Sequence, residues 1–380
     1  MSGPLTGLTI VEMAGLGPAP FCGMVLSDMG AELVRIDQKR KPGAPESPYY
    51  GDVRFDILAR GRRSLALDLK QPRGVEVALA LIARADAIIE GFRPGVMERL
   101  GLGPDVCLAR QPKLVYGRVT GWGQTGPLSQ AAGHDLNYIA LTGALHAMGR
   151  ADSSPTVPLN LVGDFGGGAM MLAFGVVCGL FEAQRSGKGQ VIDAAMTDGT
   201  TLLTSIMHAF LAAGRWSPRR GDNLLDGGAP FYDTYACADG NFVSVGALEP
   251  QFFALLMGKL GLDAGGQYDR ASWPALRGRL GALFLTQPRQ HWCDLLEGTD
   301  ACFAPVLDWS EAAAHPHNVA RDTFIEVDGV RQPAPNPRFD RTPGSVSRGS
   351  AAAGAHNDEV LHELGLHDGD VAALRDAGVI

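Results

Sequence analysis

The chain reads as an α/β protein in which a larger, Rossmann-like domain built on a parallel sheet is joined to a smaller α+β domain. Three observations predict this. Strand and helix patterns alternate from residue 8 to about residue 200, the rhythm of a parallel sheet with crossover helices. Past a polar, Gly-rich stretch at 216–228 the pattern changes to an antiparallel hairpin. The 380 residues, 46% hydrophobic and 19% charged, hold apolar material for one large domain or two.

The first βαβ unit is a strand at 8–13, a helix at 18–29 opened by Pro18 and closed by Gly30, and a strand at 32–36. The rhythm recurs as a strand at 64–69, a helix at 72–83, a strand at 87–90, a short helix after Pro94 and a strand at 114–119. An apolar helix follows Asp164, and Arg185-Ser186-Gly187-Lys188-Gly189 turns the chain into a strand at 190–194 and a helix over 198–213. Asp239-Gly240 joins the hairpin strands 231–237 and 242–245, and helices follow near 250–260, 273–285 and 289–296. Asn357 is placed to cap a helix ending at Gly365, and Asp368 or Gly369 to start another ending at Gly378. This tail is expected to dock back on the large domain. The division is then 1–214 for the large domain, 215–228 for a linker, 229–332 for the small domain and 333–380 for the return segment.

A net charge of −8 argues against nucleic-acid binding. The charges are uneven, however. Between Arg35 and Arg73 ten bases (Arg35, Lys39, Arg40, Lys41, Arg54, Arg60, Arg62, Arg63, Lys70, Arg73) meet five acids (Asp37, Glu46, Asp52, Asp56, Asp68). This is either a solvated face or a docking surface for a small polyanion. Six cysteines (Cys22, Cys107, Cys178, Cys237, Cys293, Cys302) lie far apart, which favours a reduced, cytoplasmic setting and no metal. Met1-Ser2-Gly3-Pro4 lacks the regions of a secretory signal. The apolar run 166–181 is shorter than the roughly 20 residues of a membrane span, so it reads as a buried core helix and no membrane partner is expected.

Two glycine-flanked groups carry the chemistry. Gly133-His134-Asp135 presents an imidazole at a turn, and Gly163-Asp164-Phe165-Gly166-Gly167-Gly168 presents a carboxylate before the apolar helix. Groups of such different basicity form a candidate acid/base pair. The glycines after Asp164 bare backbone N–H groups that could hold an oxyanion, with Asp164 itself at the helix start. Other motifs carry less. Gly15-Leu16-Gly17-Pro18-Ala19-Pro20, with Asp37 after the next strand, nearly fits the dinucleotide fingerprint, but the prolines remove the N–H groups a pyrophosphate needs. Ser186-Gly187-Lys188-Gly189 lacks the first glycine and the hydroxyl of a phosphate loop, and His315-Pro316-His317 has no sequence neighbour to complete a metal set.

Landmarks along the chain resemble the α-methylacyl-CoA racemase branch of the family III CoA-transferase superfamily. They include Asp28-Met29-Gly30-Ala31, Arg62-Arg63-Ser64, Leu67-Asp68-Leu69-Lys70, Phe92-Arg93-Pro94-Gly95-Val96 and Gly121-Trp122-Gly123-Gln124-Thr125-Gly126-Pro127, together with the two motifs above. The resemblance implies an interlocked homodimer and an acyl-CoA thioester as substrate, with coenzyme A entering as part of it and no separate cofactor. It implies His134 and Asp164 as the acid/base residues, Glu249 as a carboxylate supporting the histidine, and Leu69, Lys70, Gly91, Arg93, Arg99, Asp135 and Tyr138 as CoA contacts. Gln38 departs from relatives that can carry an arginine for the adenine end. The expected reaction inverts carbon 2 of a 2-methylacyl-CoA through an enolate, inside surroundings supplied by Phe165 and Met170, with an acyl surface that uses Met196 or Met207. The rival is a CoA-transferase with Asp164 as nucleophile; a nicotinamide dehydrogenase and a non-catalytic acyl-CoA binder stand further off.

Overall fold

The computed structural model describes residues 3–39 and 50–380. Met1, Ser2, Arg40, Lys41 and Glu46 of the readings above lie outside the described residues. Six strands, β1 (Thr9–Met13), β2 (Glu32–Gln38), β3 (Arg62–Leu67), β4 (Ala87–Glu90), β5 (Val115–Thr120) and β6 (Gln190–Ala195), form one parallel sheet in the order β3-β2-β1-β4-β5-β6. The order reverses between β1 and β4. In such sheets ligands bind beyond the carboxyl ends of the strands at that reversal.

The alternation of side chains builds a core on each face of the sheet. Val11, Val34 and Ile88 face α2 (Pro72–Ile82) together with the C-terminal helices, which contribute Val360, Leu361, Val371 and Leu374. Ile10, Leu33 and Ile89 face α1 (Pro18–Asp28) and the helix Met170–Ser186. The tail is tied to β3 as well: Arg63 pairs with Glu359 and Glu363, and the His356 N–H donates to the Ser64 carbonyl. Asn357 is not the cap that the sequence suggests. It is the first helical residue, and its Oδ1 accepts the Ala66 N–H at 2.8 Å, a partner from a distant strand.

Other departures have equally local causes. β3 begins two residues early, at Arg62, because the arginines of this strand are buried by ion pairing and so carry no apolar signal. The short helices α3 (Val96–Arg99) and α4 (Pro104–Arg110) follow β4, the second opened by Pro104. The helix expected at 198–213 is two, Met196–Leu203 and Ser205–Ala212, broken at Thr204. The apolar run is helical from Leu161 to Ser186, 26 residues, long and apolar enough by composition to cross a membrane. It is not the wholly buried helix expected: Leu172, Val176 and Leu180 pack on the sheet, while Phe174, Val177 and Phe181 are exposed.

The chain divides into two compact units, Met1–Thr142 with Leu159–Leu203 and Asp322–Ile380, and Gly143–Pro158 with Thr204–Arg321. The boundaries thus fall differently from 1–214 and 229–332: the second unit takes the excursion at 143–158 and the helix Ser205–Ala212. Its antiparallel sheet has the order β7-β8-β9, from β7 (Tyr232–Ala236), β8 (Phe242–Gly246) and β9 (Phe303–Val306), around a core of Phe231, Phe253, Trp273, Phe284 and Trp292. The hairpin β10 (Phe324–Val327) and β11 (Val330–Pro333) belongs to the first unit, where Arg60 bonds the Gln332 side chain at 2.8 Å.

Candidate active site

Residues just past the carboxyl ends of the strands share the edge of the sheet on which the reversal between β1 and β4 lies. Gly17 follows β1, Leu69 and Lys70 follow β3, Gly91 and Arg93 follow β4, and Gly121 follows β5. A β-carbon on Gly91 would stand 3.3 Å from Ala19 of α1, and one on Gly17 would stand 3.3 Å from Asp164 Oδ2. Glycine at these two places lets the loops close over the crevice.

Tyr138 holds the turn that carries His134. It lies in α5 (Asp135–Ala140), and its ring occupies the space a β-carbon would need at Gly121, 1.9 Å away, and at Gly133, 2.7 Å away. Trp122 meets the ring edge-on with centroids 4.8 Å apart, and the Tyr138 hydroxyl donates to the Gly133 carbonyl. Two glycine motifs of the loop between β5 and α5 thus clamp one aromatic ring. The result fixes His134 at the start of α5, its N–H donating to Asn137 Oδ1 at 3.0 Å while the residue itself is exposed.

Asp164 is not the cap of the apolar helix; it lies in the first turn of a π-helical segment, Leu161–Ala169, that starts earlier than expected and runs into Met170–Ser186. The segment is packed so tightly on Met196–Leu203 that a β-carbon on Gly199 would stand 1.9 Å from the Gly167 carbonyl oxygen. Such wide turns cluster at functional sites because they re-aim one side chain. The next residue, Phe165, stacks on Phe21 with centroids 4.4 Å apart. Burial raises the Asp164 proton affinity, the Asn160 amide at 3.2 Å lowers it, and the charges of Asp135 and His134 act in opposite directions. The N–H groups of Gly163 and Asp164 both donate to Asp135 Oδ2 at 2.7 Å. The backbone donor expected at Asp164 for an oxyanion is therefore already used.

The basic segment is mostly internal wiring. Arg60 pairs with Asp28, Arg62 with Glu12, Arg63 with Glu32, Arg35 with Asp37 and Arg54 with Asp52. The polyanion surface read from the charge count shrinks accordingly, with Lys39, Lys70 and Arg73 exposed on it. Asp37 accepts from Arg35 Nε at 2.8 Å and from the Ser64 hydroxyl, so it is not free to bind a ribose. Arg93 and Arg99 are exposed beside the crevice. Their loop is braced by buried Arg118, which bonds Glu90 and Glu98 at 2.7 Å each, while Glu90 accepts the Phe92 N–H at 2.6 Å. Sequence reasoning missed Arg118, Glu90 and Asn160; none stands in a recognisable motif. Glu249 precedes the helix Pro250–Lys259 in the second unit and is exposed. Gln38 ends β2, also exposed. His315 has an acidic neighbour after all, Glu297 at 2.8 Å, brought from 18 residues away.

A parallel sheet that reverses order between β1 and β4, with an imidazole and a carboxyl gathered beyond its strand ends, belongs to a known class. The model of CoA-transferase family III matches residues 5–357, and the chain belongs to that family. Within it, the chain is 46% identical to an α-methylacyl-CoA racemase of Mus musculus, covering 99% of this chain and 97% of that one, and 44% identical to the Homo sapiens counterpart over the same shares. In structure it is similar to a CAIB/BAIF family protein from Brucella suis, with a TM-score of 0.80 and 25% identity over 96% of this chain and 100% of that one.

Proposed function

We propose that the chain inverts carbon 2 of 2-methylacyl-CoA thioesters by moving protons between His134 and Asp164. The observation that carries this is the pairing of an exposed imidazole with a half-buried carboxyl of raised proton affinity at one strand-end crevice. A thioester carbonyl acidifies the neighbouring C–H bond. Loss of that proton to His134 leaves a planar enolate, and Asp164 returns a proton to its other face; the reverse turnover exchanges the roles. A carboxyl raised by burial is suited to this, since base and acid must exchange a proton at small cost. The enolate oxygen takes its donors elsewhere along the rim, the Asp164 N–H being occupied.

Lys70, Arg93 and Arg99 are the proposed phosphate-facing contacts of coenzyme A, with Leu69 and Gly91 lining the path. Asp135 and Tyr138 act from beneath, their side chains being turned inward. Glu249 supports His134 within an interlocked pair of chains. A second copy is supported by the exposed row Phe174, Val177 and Phe181. Met196 is buried, so Met207 and Met170 are the better candidates for the acyl surface. Six free thiols favour a reducing, cytoplasmic setting.

The test is to incubate pure (2R)-2-methylacyl-CoA in deuterium oxide and follow configuration and label at carbon 2. Inversion with uptake of solvent deuterium is expected. Retained configuration without label, with transfer of CoA to a free acid through a hydroxylamine-trappable acyl group on Asp164, would favour the family's transferase chemistry instead.

A further inference from the structure

The sequence places Asp135 next to His134, and the fold places it against Asp164. Its carboxylate crosses from α5 to the π-helical segment, where one oxygen accepts the N–H groups of Gly163 and Asp164, both at 2.7 Å. These donors belong to the first turns of a helix, which have no internal acceptors. The contact demands glycine at 163, because a β-carbon there would stand 2.7 Å from Asp135 Oδ2. Asp135 is 5% exposed, and its second oxygen, Oδ1, is buried without a hydrogen-bond partner among the described residues. A buried, half-satisfied carboxylate is costly and is kept where it does something else.

We infer that Asp135 is the positioning residue of the acid/base pair: covalently adjacent to one member and bonded to the backbone of the other, it fixes their separation through a single side chain. This rests on the roles proposed for His134 and Asp164. It also explains why His134-Asp135 and Gly163-Asp164 occur as two dipeptides, each member of the pair coupled to half of one brace. The charge has a second effect. The ionisable groups acting on Asp164 come from the start of α5, namely His134 and Asp135, while Asp164 in turn acts on Tyr138 of that helix; the turn before α1 meets it through Gly17, and the helix Met196–Leu203 packs on its segment through Met196, Gly199 and Thr200. Among these, Asp135 is the negative charge that helps Asp164 hold its proton.

The experiment compares Asp135→Asn and Asp135→Ala with His134→Ala and Asp164→Ala by inversion and deuterium exchange. Asparagine keeps an oxygen for the two N–H groups and removes the charge; alanine removes both. Asp135→Ala is expected to lose about hundredfold in kcat with KM for the acyl-CoA nearly unchanged, the effect of a misplaced reacting group. Asp135→Asn is expected to keep most of kcat, with the limb of the pH profile that belongs to Asp164 moved to lower pH. Wild-type kcat in Asp135→Ala overturns the inference. So does an asparagine variant as impaired as the alanine one with an unmoved pH profile. If Asp135→Ala does not fold, the asparagine profile alone decides. Should His134→Ala and Asp164→Ala retain exchange, the functional reading itself fails; if they lose it while both Asp135 variants match wild type, only the brace fails.

Discussion

Gly17 presses its backbone against the Asp164 carboxylate, so that a β-carbon at 17 would stand 3.3 Å from Oδ2, and its φ of 71° already excludes most side chains. The turn after the first strand thus forms a wall of the pocket that holds the acid, with Phe165 and Phe21 stacked nearby.

That pocket has a consequence for stability. Burial is the main cause that lifts Asp164 above the ordinary aspartate value of 3.8, so the native chain holds this proton to higher pH than the unfolded chain does. Over that window the native state binds more protons, and its stability falls as pH rises, staying lower above it. Asp164→Asn removes the loss. Its melting temperature is expected to exceed that of wild type at pH 7, with the gap closing as pH is lowered toward 3.8.

Removal of either acid/base group is expected to lower inversion by about 10²- to 10⁴-fold, the usual worth of a positioned proton-transfer group. Binding of free coenzyme A, measured by calorimetry, should stay within a few-fold of wild type in His134→Ala and Asp164→Ala. Undiminished turnover in one variant would remove that residue from the mechanism.

Arg62 and Glu12 are both buried and paired at 2.8 Å, and Glu12 Oε1 has no hydrogen-bond partner among the described residues. Arg62→Ala strands the carboxylate and is expected to cost about 3–5 kcal/mol in urea unfolding. The double variant Glu12→Leu with Arg62→Met should recover much of that, since a pair of apolar side chains leaves no charge to desolvate.

Gly199 and Gly258 are predicted to respond oppositely to alanine. At 199 the new methyl would stand 1.9 Å from the Gly167 carbonyl oxygen, costing about 1–3 kcal/mol and displacing the segment that carries Asp164. At 258, inside the helix Pro250–Lys259, a β-carbon meets nothing within 4 Å among the described residues, and the substitution should gain about 0.5–1 kcal/mol. Urea midpoints and kcat on the same preparations check both.

Phe174 and Phe181 are 69% and 62% exposed and stand two turns apart on one helix face. If this row meets a second copy, wild type should sediment at twice the mass of one chain. Phe174→Glu with Phe181→Glu should sediment as a single chain.

Much of this was legible in the sequence because local signals agreed with the tertiary result. Ala87–Glu90 and Arg289–Leu296 have the bounds their patterns predict, and Pro18, Pro72 and Pro250 each open a helix. What stayed hidden depends on partners far along the chain. The arginines of β3 look like a solvated charge cluster until Glu12 and Glu32 are seen beside them. Asp164 looks like a helix cap until Asp135, 29 residues earlier, is found on its N–H. The break at Thr204, the π-helical turn and the close approach of Gly167 to Gly199 leave no mark in the periodicity. The imidazole and the carboxyl were readable because glycines mark them; the brace between them was not.

The outward row on the helix Met170–Ser186 also bears on handling. A strip of phenylalanine and valine in water gains free energy from any cover, so resistance to heat becomes a function of how much cover is dissolved. If the cover is a second copy, a concentrated solution will melt later than a dilute one, and a comparison of variants is meaningful only at matched dilution.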